Sequence, residues 1–151
     1  MGCRISKQHP KEVHDSKHLK TYIPTLYDIT VIKVYDGDTI TICAKVYRFS
    51  KQYYKWSVRF RGIDTPEIKG KTKDEKDAAI NARDALSSKI LHKKILLKNI
   101  AYDKYGRLLA DIYIGKTCLN TWMLENKYAI EYDGGTKVIP KSWKEFQENR
   151  I

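Results

Sequence analysis

Cysteine and long apolar segments are both scarce in this chain of 151 residues. The three cysteines lie far apart and form no CxxC pair, so we expect neither a disulfide framework nor a zinc site. No apolar run approaches the ~20 residues of a membrane-spanning helix, and the N-terminus lacks the apolar stretch of a secretory signal. We therefore expect a protein of a reducing compartment, without a spanning helix or a secretory leader.

Negative charge is also in short supply. Lys and Arg together number 29 against 18 Asp and Glu, which gives a net charge of +11. An excess of this size suits a polyanionic partner, either a nucleic acid or an anionic membrane, although a merely soluble basic surface would have the same composition. The 42% of hydrophobic residues excludes disorder throughout and is enough for one folded domain.

The chain divides into a polar tail and a folded domain. Residues 1–26 contain few large apolar side chains and carry five basic against two acidic residues, which predicts a flexible basic tail. Residues 27–151 carry the periodic apolar patterns of a folded domain. Three tail histidines could form a metal-binding tract, but a solvated tail is the simpler interpretation.

The tail opens with a pattern typical of acylated proteins. The first seven residues, MGCRISK, fit the N-myristoylation pattern M-G-x-x-x-[ST], which makes Gly2 the acceptor. Cys3 beside it is a natural palmitoylation site, and the basic residues that follow favour an anionic leaflet. The pattern predicts attachment to the cytoplasmic face of a membrane, in a eukaryotic cell or in a virus of one. If the match is accidental, we expect a cytoplasmic protein.

Alternating apolar residues predict a small β-barrel. The predicted strands cover about 27–35, 39–47, 56–61, 94–102 and 107–114. The predicted helices cover about 75–91 and 117–127, with a last short helix that begins at Pro140. Three strands, a helix, two strands and further helices fit an α+β, mainly β fold. We expect a five-stranded Greek-key barrel of the OB type with about three helices.

Acidic side chains stand at the ends of these strands. If the second and third strands pair, Asp38 and Asp64 lie at the same rim of the barrel. Two carboxylates with a backbone carbonyl and waters make a hard oxygen site that suits Ca²⁺. Each motif alone has a simpler explanation, because Asp-Gly forms hairpin turns and Asp-Thr-Pro forms an Asx-turn.

Two arginines stand near the same strand ends. Arg59 lies five residues before Asp64, and Arg107 follows a tight turn. A planar guanidinium matches two oxygens of a phosphate, although a surface position is the default for any single arginine.

Three motifs occur in chain order, VYDGDT at 34–39, VRFRGIDTPE at 58–67 and DKYGR at 103–107. Taken together, they resemble the staphylococcal nuclease (thermonuclease) family. The resemblance covers about residues 27–130. It implies an OB-fold nuclease domain that cleaves phosphodiesters of DNA and RNA with the help of Ca²⁺ and leaves 3′-phosphates.

The resemblance also implies a metal site and a general base. The family's calcium ligands match Asp38, Asp64 and the backbone carbonyl of Thr65 by position. Asp36 matches a nearby acid that supports these ligands without binding the metal itself. Glu67 matches the glutamate that orients or deprotonates the attacking water.

The remaining matches concern substrate binding. Arg59 and Arg107 match the two phosphate-binding arginines, and Lys104 and Tyr105 match residues that contact a terminal phosphate. The family also has a tyrosine that stacks on a base. Spacing does not decide between the two candidates here, Tyr128 and Tyr132.

Three classes of function remain open on the sequence. They are a calcium-dependent nuclease, a non-catalytic nucleic-acid-binding or scaffold module of the same fold, and a basic membrane adaptor. The presence of every acid and both arginines favours the enzyme, whereas an adaptor would need only the tail. We expect a monomer with DNA and RNA as its partners.

Overall fold

Five long strands and three helices form the part of the chain that the structure describes. This structure is a computed structural model that describes residues 19–149, so the predicted acylation site at Gly2 and Cys3 lies outside the described residues. In chain order the elements are β1 (Tyr27–Val34), β2 (Thr39–Lys45), β3 (Tyr54–Phe60), β4 (Ile63–Asp64), α1 (Lys73–Ile90), β5 (Leu96–Tyr102), β6 (Leu108–Ile114), β7 (Thr117–Cys118), α2 (Leu119–Glu125), β8 (Ile130–Glu131) and α3 (Trp143–Glu148).

The long strands follow one another in the order β1, β2, β3, β6, β5. Neighbouring strands are antiparallel except for β3 and β6, which run parallel. The residues just before β5 return to β1, where Thr30 bridges Lys94 and the Ile95 amide donates to the Ile29 carbonyl at 3.1 Å. These contacts close the sheet into a barrel. The predicted α+β, mainly β fold of the OB type is therefore confirmed.

The core lies inside this barrel because alternate residues of each strand point inward. Ile40 and Ile42 of β2 and Val58 and Phe60 of β3 are fully buried. Helix α1 adds a stripe of apolar side chains at helical spacing to the same cluster, namely Ala82, Leu86 and Ile90. Packing of the helix on the barrel fixes the loop between β4 and α1, which carries part of the site described below.

The helix ends depart from the predicted ones by a few residues. Helix α1 begins at Lys73 after the N-cap Thr72, whose side chain accepts the Glu75 amide at 3.1 Å. Helix α3 begins at Trp143 and not at Pro140, because the Ser142 hydroxyl caps it by accepting the Glu145 amide at 3.2 Å. Within residues 19–149, no helix combines the length and the apolar character that crossing a bilayer requires.

Candidate functional site

Three turns meet at one end of the barrel and enclose a cleft of about 650 Å³. The turns are the β1–β2 turn, the chain from the end of β3 to the loop after β4, and the β5–β6 turn. The cleft lining includes all but one of the site residues predicted within the folded domain: Asp36, Asp38, Arg59, Asp64, Thr65, Glu67, Lys104, Tyr105, Arg107 and Tyr132. The motifs that lie apart in the sequence are thus brought to one place.

Strand register places the two candidate calcium ligands on either side of Arg59. Thr39 pairs with Arg59 across β2 and β3, and the Phe60 amide donates to the Asp38 carbonyl at 2.8 Å. The Arg59 guanidinium lies 2.6 Å from Asp38 Oδ1 through Nη1 and 2.9 Å from Asp64 Oδ1 through Nη2. One planar cation therefore holds both carboxylates at the rim.

Burial makes the charges of this cluster strongly interdependent. The side chains of Asp38 and Asp64 are each 5% exposed, so they depend on the neighbouring cation for compensation. Burial alone would lower the pKa of Arg59, but the two carboxylates outweigh it and raise that pKa. The pKa of Asp36 is raised to about 7, first by burial and then by the carboxylate of Asp38.

The β1–β2 turn is kept tight by a glycine. The Asp36 side chain accepts the Asp38 amide at 3.1 Å and closes the turn. A β-carbon on Gly37 would lie 2.8 Å from Thr65 Cγ2 and 3.1 Å from Ala82 Cβ. Only a glycine lets the turn approach both the Thr65 side chain and helix α1 this closely.

Lys137 is a site residue that sequence reasoning missed. The pairing of β4 with β8 sets Asp64 opposite Ile130 and leads the following loop over the cleft. Lys137 Nζ then lies 2.9 Å from Asp64 Oδ2 and 3.7 Å from Glu67 Oε1. No local pattern marks this lysine, because its approach depends on two-residue strands that are far apart in the chain.

The loop that carries Glu67 is held by a second glutamate. The Glu75 carboxylate accepts the amides of Glu67 at 3.4 Å and of Lys71 at 3.2 Å. Gly70 leaves room for this contact, because a β-carbon there would lie 2.4 Å from the Glu75 carboxyl. The capping pattern located Glu75 in the sequence, but it did not reveal that its carboxylate anchors the loop. The side chain of Glu67 itself is exposed in the cleft.

Asp103 organises the β5–β6 turn on the other side of the cleft. Its carboxylate accepts the backbone amides of Tyr105 at 2.8 Å and Arg107 at 2.9 Å, and the Arg107 Nε at 2.6 Å. The exposed Tyr105 ring lies under two cations, Lys104 Nζ at 5.1 Å and the Arg107 guanidinium at 5.5 Å. The turn thus presents positive charge and one aromatic face to the cleft.

The two candidate tyrosines have different positions. Tyr132 lines the cleft, and its amide donates to the Gly62 carbonyl at 3.0 Å. Tyr128 belongs to the hydrophobic core, where its ring lies 5.5 Å from that of Trp122. Of the two candidates, Tyr132 is therefore the one that lines the cleft, and Tyr128 is not.

The donor chemistry at the rim fits a hard cation such as Ca²⁺. Two buried carboxylates and the neighbouring Thr65 carbonyl are oxygen donors, and waters complete such sets in proteins. Within residues 19–149, no three or more His, Cys, Asp and Glu side chains gather as a metal cluster. Asp64 Oδ2, one of the oxygens available to a metal, forms an ion pair with Lys137.

Comparisons with known proteins agree with the motifs. The sequence model of the family described as "Staphylococcal nuclease homologue" matches residues 57–149. A probable endonuclease of Schizosaccharomyces pombe is 30% identical over 96 residues, which cover 59% of this chain and 42% of the relative. From Bacillus subtilis, the SPbeta prophage-derived endonuclease YokF is 33% identical and the endonuclease YncB is 31% identical, each over 129 residues and 82% of this chain. These alignments cover 41% and 58% of those relatives, so the chain spans about half the length of the proteins it matches.

Proposed function

Because the chain belongs to the family of staphylococcal nuclease homologues, we propose that it is a nuclease that hydrolyses DNA and RNA with the help of Ca²⁺ and leaves 3′-phosphates. One observation carries the proposal. The buried acids Asp38 and Asp64 share a cleft with an exposed carboxylate, Glu67, and with the guanidinium of Arg107. This set combines a place for a divalent cation, a base and a phosphate ligand.

Asp38, Asp64 and the Thr65 carbonyl are the residues that would hold the metal. Ca²⁺ bound there would offset the negative charge that grows on the phosphate oxygens. Arg59 keeps the two carboxylates in one orientation through both of its terminal nitrogens. Asp36 supports the same turn by accepting the Asp38 amide.

In this proposal, Glu67 acts on the attacking water. Its exposed carboxylate accepts a proton as the water oxygen bonds to phosphorus. The bond from phosphorus to the 5′-oxygen breaks, the leaving oxygen takes a proton from solvent, and the phosphate stays on the 3′-oxygen. Arg107 donates to the phosphate oxygens from the opposite side of the cleft.

The outer parts of the cleft suit a sequence-tolerant hold on the substrate. Lys104 and Tyr105 offer a cation and a ring on the β5–β6 turn, and Tyr132 offers a second ring on the facing wall. Stacking on such rings accepts any base, so these contacts favour nucleic acid of either kind without strong sequence preference.

Digestion of single-stranded DNA and RNA in Ca²⁺ and in EGTA tests the proposal. We expect cleavage only with Ca²⁺, and a loss of about 10²- to 10⁴-fold in turnover for Glu67→Gln, which keeps the shape but cannot take the proton. The matched control is Glu148→Gln on α3, outside the cleft, which should cleave normally. Wild-type protein that binds DNA in Ca²⁺ but never cuts it would instead be a non-catalytic module.

We also propose that the tail is acylated at Gly2 and Cys3 and attaches the protein to a membrane. The support is the pattern at residues 1–7 and the basic residues behind it. Gly2→Ala should release the protein from membranes of eukaryotic cells, and Cys3→Ser should leave a weakly held form, because one myristoyl chain binds reversibly. Fractionation of cells that express each variant measures this. Equal partitioning of wild type and Gly2→Ala would show that the pattern is accidental.

A further inference from the structure

The connection between β2 and β3 carries a concentration of exposed aromatic side chains. Four aromatic residues in 47–55 are exposed, two of them mostly and two by nearly half: Tyr47 75%, Phe49 94%, Tyr53 44% and Tyr54 48%. The same residues include three basic side chains and no acidic one. We call residues 47–55 the aromatic–basic tip. Exposed aromatic patches of this kind usually mark an interaction surface.

The tip is a preformed turn. The Ser50 amide donates to the Tyr47 carbonyl at 3.1 Å, and the Gln52 amide donates to the Ser50 hydroxyl at 2.9 Å. The Gln52 side chain donates in turn to the Tyr53 carbonyl at 2.9 Å. These bonds keep the backbone in place while the rings stay in water, so a partner would find the surface already formed.

The tip lies at the far end of the barrel from the cleft. Strand β2 begins beside the cleft at Thr39 and ends before the tip at Lys45, and a strand of this length extends about 20 Å. Strand β1 is antiparallel to β2 and sets Tyr27 opposite Lys45. The chain therefore enters β1 at the end of the barrel that carries the tip.

Charge around the tip is positive as well. Asp28 is the acid beside it, and this carboxylate is shared by Lys45 at 2.7 Å and Lys94 at 3.5 Å. Lys45 Nζ also lies 5.1 Å over the Tyr53 ring. Asp28 carries one negative charge against the two positive charges of Lys45 and Lys94. It therefore does not offset the positive charge of the tip.

We propose that the aromatic–basic tip docks the folded domain on an anionic phospholipid bilayer. Tyr47 and Phe49 enter the interfacial region, where aromatic rings are favoured. Arg48, Lys51 and Lys55 lie among the acidic headgroups. In this orientation the cleft faces the aqueous phase and stays open to its substrate. The proposal concerns folded residues and depends neither on acylation nor on nuclease activity.

A single-stranded nucleic acid is the other ligand that combines rings with cations. The position of the tip favours the bilayer. A nucleic-acid strand bound in the cleft would have to run the length of the barrel before it reached Phe49, whereas the surface of a bilayer can meet the tip without entering the cleft.

The test uses the unacylated full chain made in bacteria, so that only the folded domain and bare tail are measured. We expect sedimentation with vesicles of phosphatidylcholine mixed with phosphatidylserine, and none with phosphatidylcholine alone. Phe49→Ala should weaken partitioning by at least about tenfold. The double variant Arg48→Gln/Lys51→Gln should weaken it by about 25-fold at low salt, at about fivefold for each basic residue.

Matched controls come from exposed positions away from the tip. Ile80→Ala on α1 and Lys116→Gln between β6 and β7 should partition as wild type does. Tip variants that partition as wild type would overturn the proposal. It would also be overturned if the tip variants bound vesicles normally but lost affinity for a single-stranded oligonucleotide, because the tip would then be a nucleic-acid surface. Circular dichroism confirms that each variant is folded.

Discussion

An ammonium group stands beside the acids that the proposed metal would use. Lys137 Nζ lies 2.9 Å from Asp64 Oδ2, and the Lys137 side chain is 35% exposed. Burial on its own would lower the pKa of Lys137, but the contacts with Asp64 and Glu67 outweigh it and raise that pKa, so the group stays charged. A divalent cation that binds this oxygen must therefore displace the lysine.

Lys137→Gln should tighten calcium binding by up to about fivefold, because a partly exposed ion pair is worth at most ~1 kcal/mol. Isothermal titration with Ca²⁺ in the absence of nucleic acid measures the affinity directly. Lys141→Gln removes the same charge from an exposed position outside the cleft lining and serves as the control. Weaker binding in Lys137→Gln would mean that the lysine supports the site and does not compete for it.

At the scale of single residues, the sequence predicts which charged side chains lie at the site better than it predicts the groups that they contact. The motifs located Asp38, Asp64 and Arg59 because the residue types stand together in short stretches. They could not show that Arg59 binds both acids, nor that Tyr128 is buried against Trp122, because both facts depend on how separate segments pack.

Turns, more than strands, determine the shape of the cleft. The β5–β6 turn depends on Asp103, which accepts two backbone amides and the Arg107 side chain. Burial would raise the pKa of Asp103, but these hydrogen bonds together outweigh it and hold the pKa below its usual value. The ionised carboxylate is thus the form that the folded state favours.

Asp103→Asn should lower the free energy of unfolding at neutral pH by about 1–2 kcal/mol, because the amide accepts these hydrogen bonds less strongly. A carboxyl whose pKa is lowered by folding stabilises the protein above its unfolded pKa of about 4, and this stability is lost as the pH falls through the lower folded pKa. The difference between wild type and Asp103→Asn should therefore shrink below about pH 4. Urea denaturation at several pH values measures it, and a difference independent of pH would contradict the assignment.

The long elements could be predicted and the shortest ones could not. The five long strands follow from their alternating or β-branched apolar residues, and α1 follows from its apolar spacing and the N-cap Thr72. Strands β4 and β8 have two residues each, too few for any periodic pattern. They exist because they pair with each other, and that pairing brings Lys137 to the cleft.

At the scale of the whole molecule, helix α3 packs against α1 through polar contacts as well as through burial of Trp143. The Asp74 carboxylate accepts the Ser142 hydroxyl at 3.2 Å and the amides of Trp143 at 2.9 Å and Lys144 at 3.2 Å. Gln147 donates to the Ala78 carbonyl at 3.0 Å. An acid in the first turn of one helix thereby satisfies the free amides of another.

Asp74→Ala should destabilise the protein by about 1–3 kcal/mol, because it leaves amides at the start of α3 without an acceptor. Asp77→Ala, one turn further along α1, removes an exposed acid whose partner Lys73 is 3.7 Å away and should change little. Chemical denaturation of both variants gives the comparison. Equal stabilities would show that the Asp74 contacts do not stabilise α3.

The pairing of β4 with β8 also has a consequence for the order in which the protein is made. Asp64 leaves the ribosome long before Ile130, its partner, and Lys137 follows later still. A nascent chain can assemble the first strands while the far wall of the cleft is absent, since domains fold from the N-terminus during synthesis. The cleft therefore stays incomplete until the last part of the domain has emerged, and a partly made chain does not yet carry the assembled site.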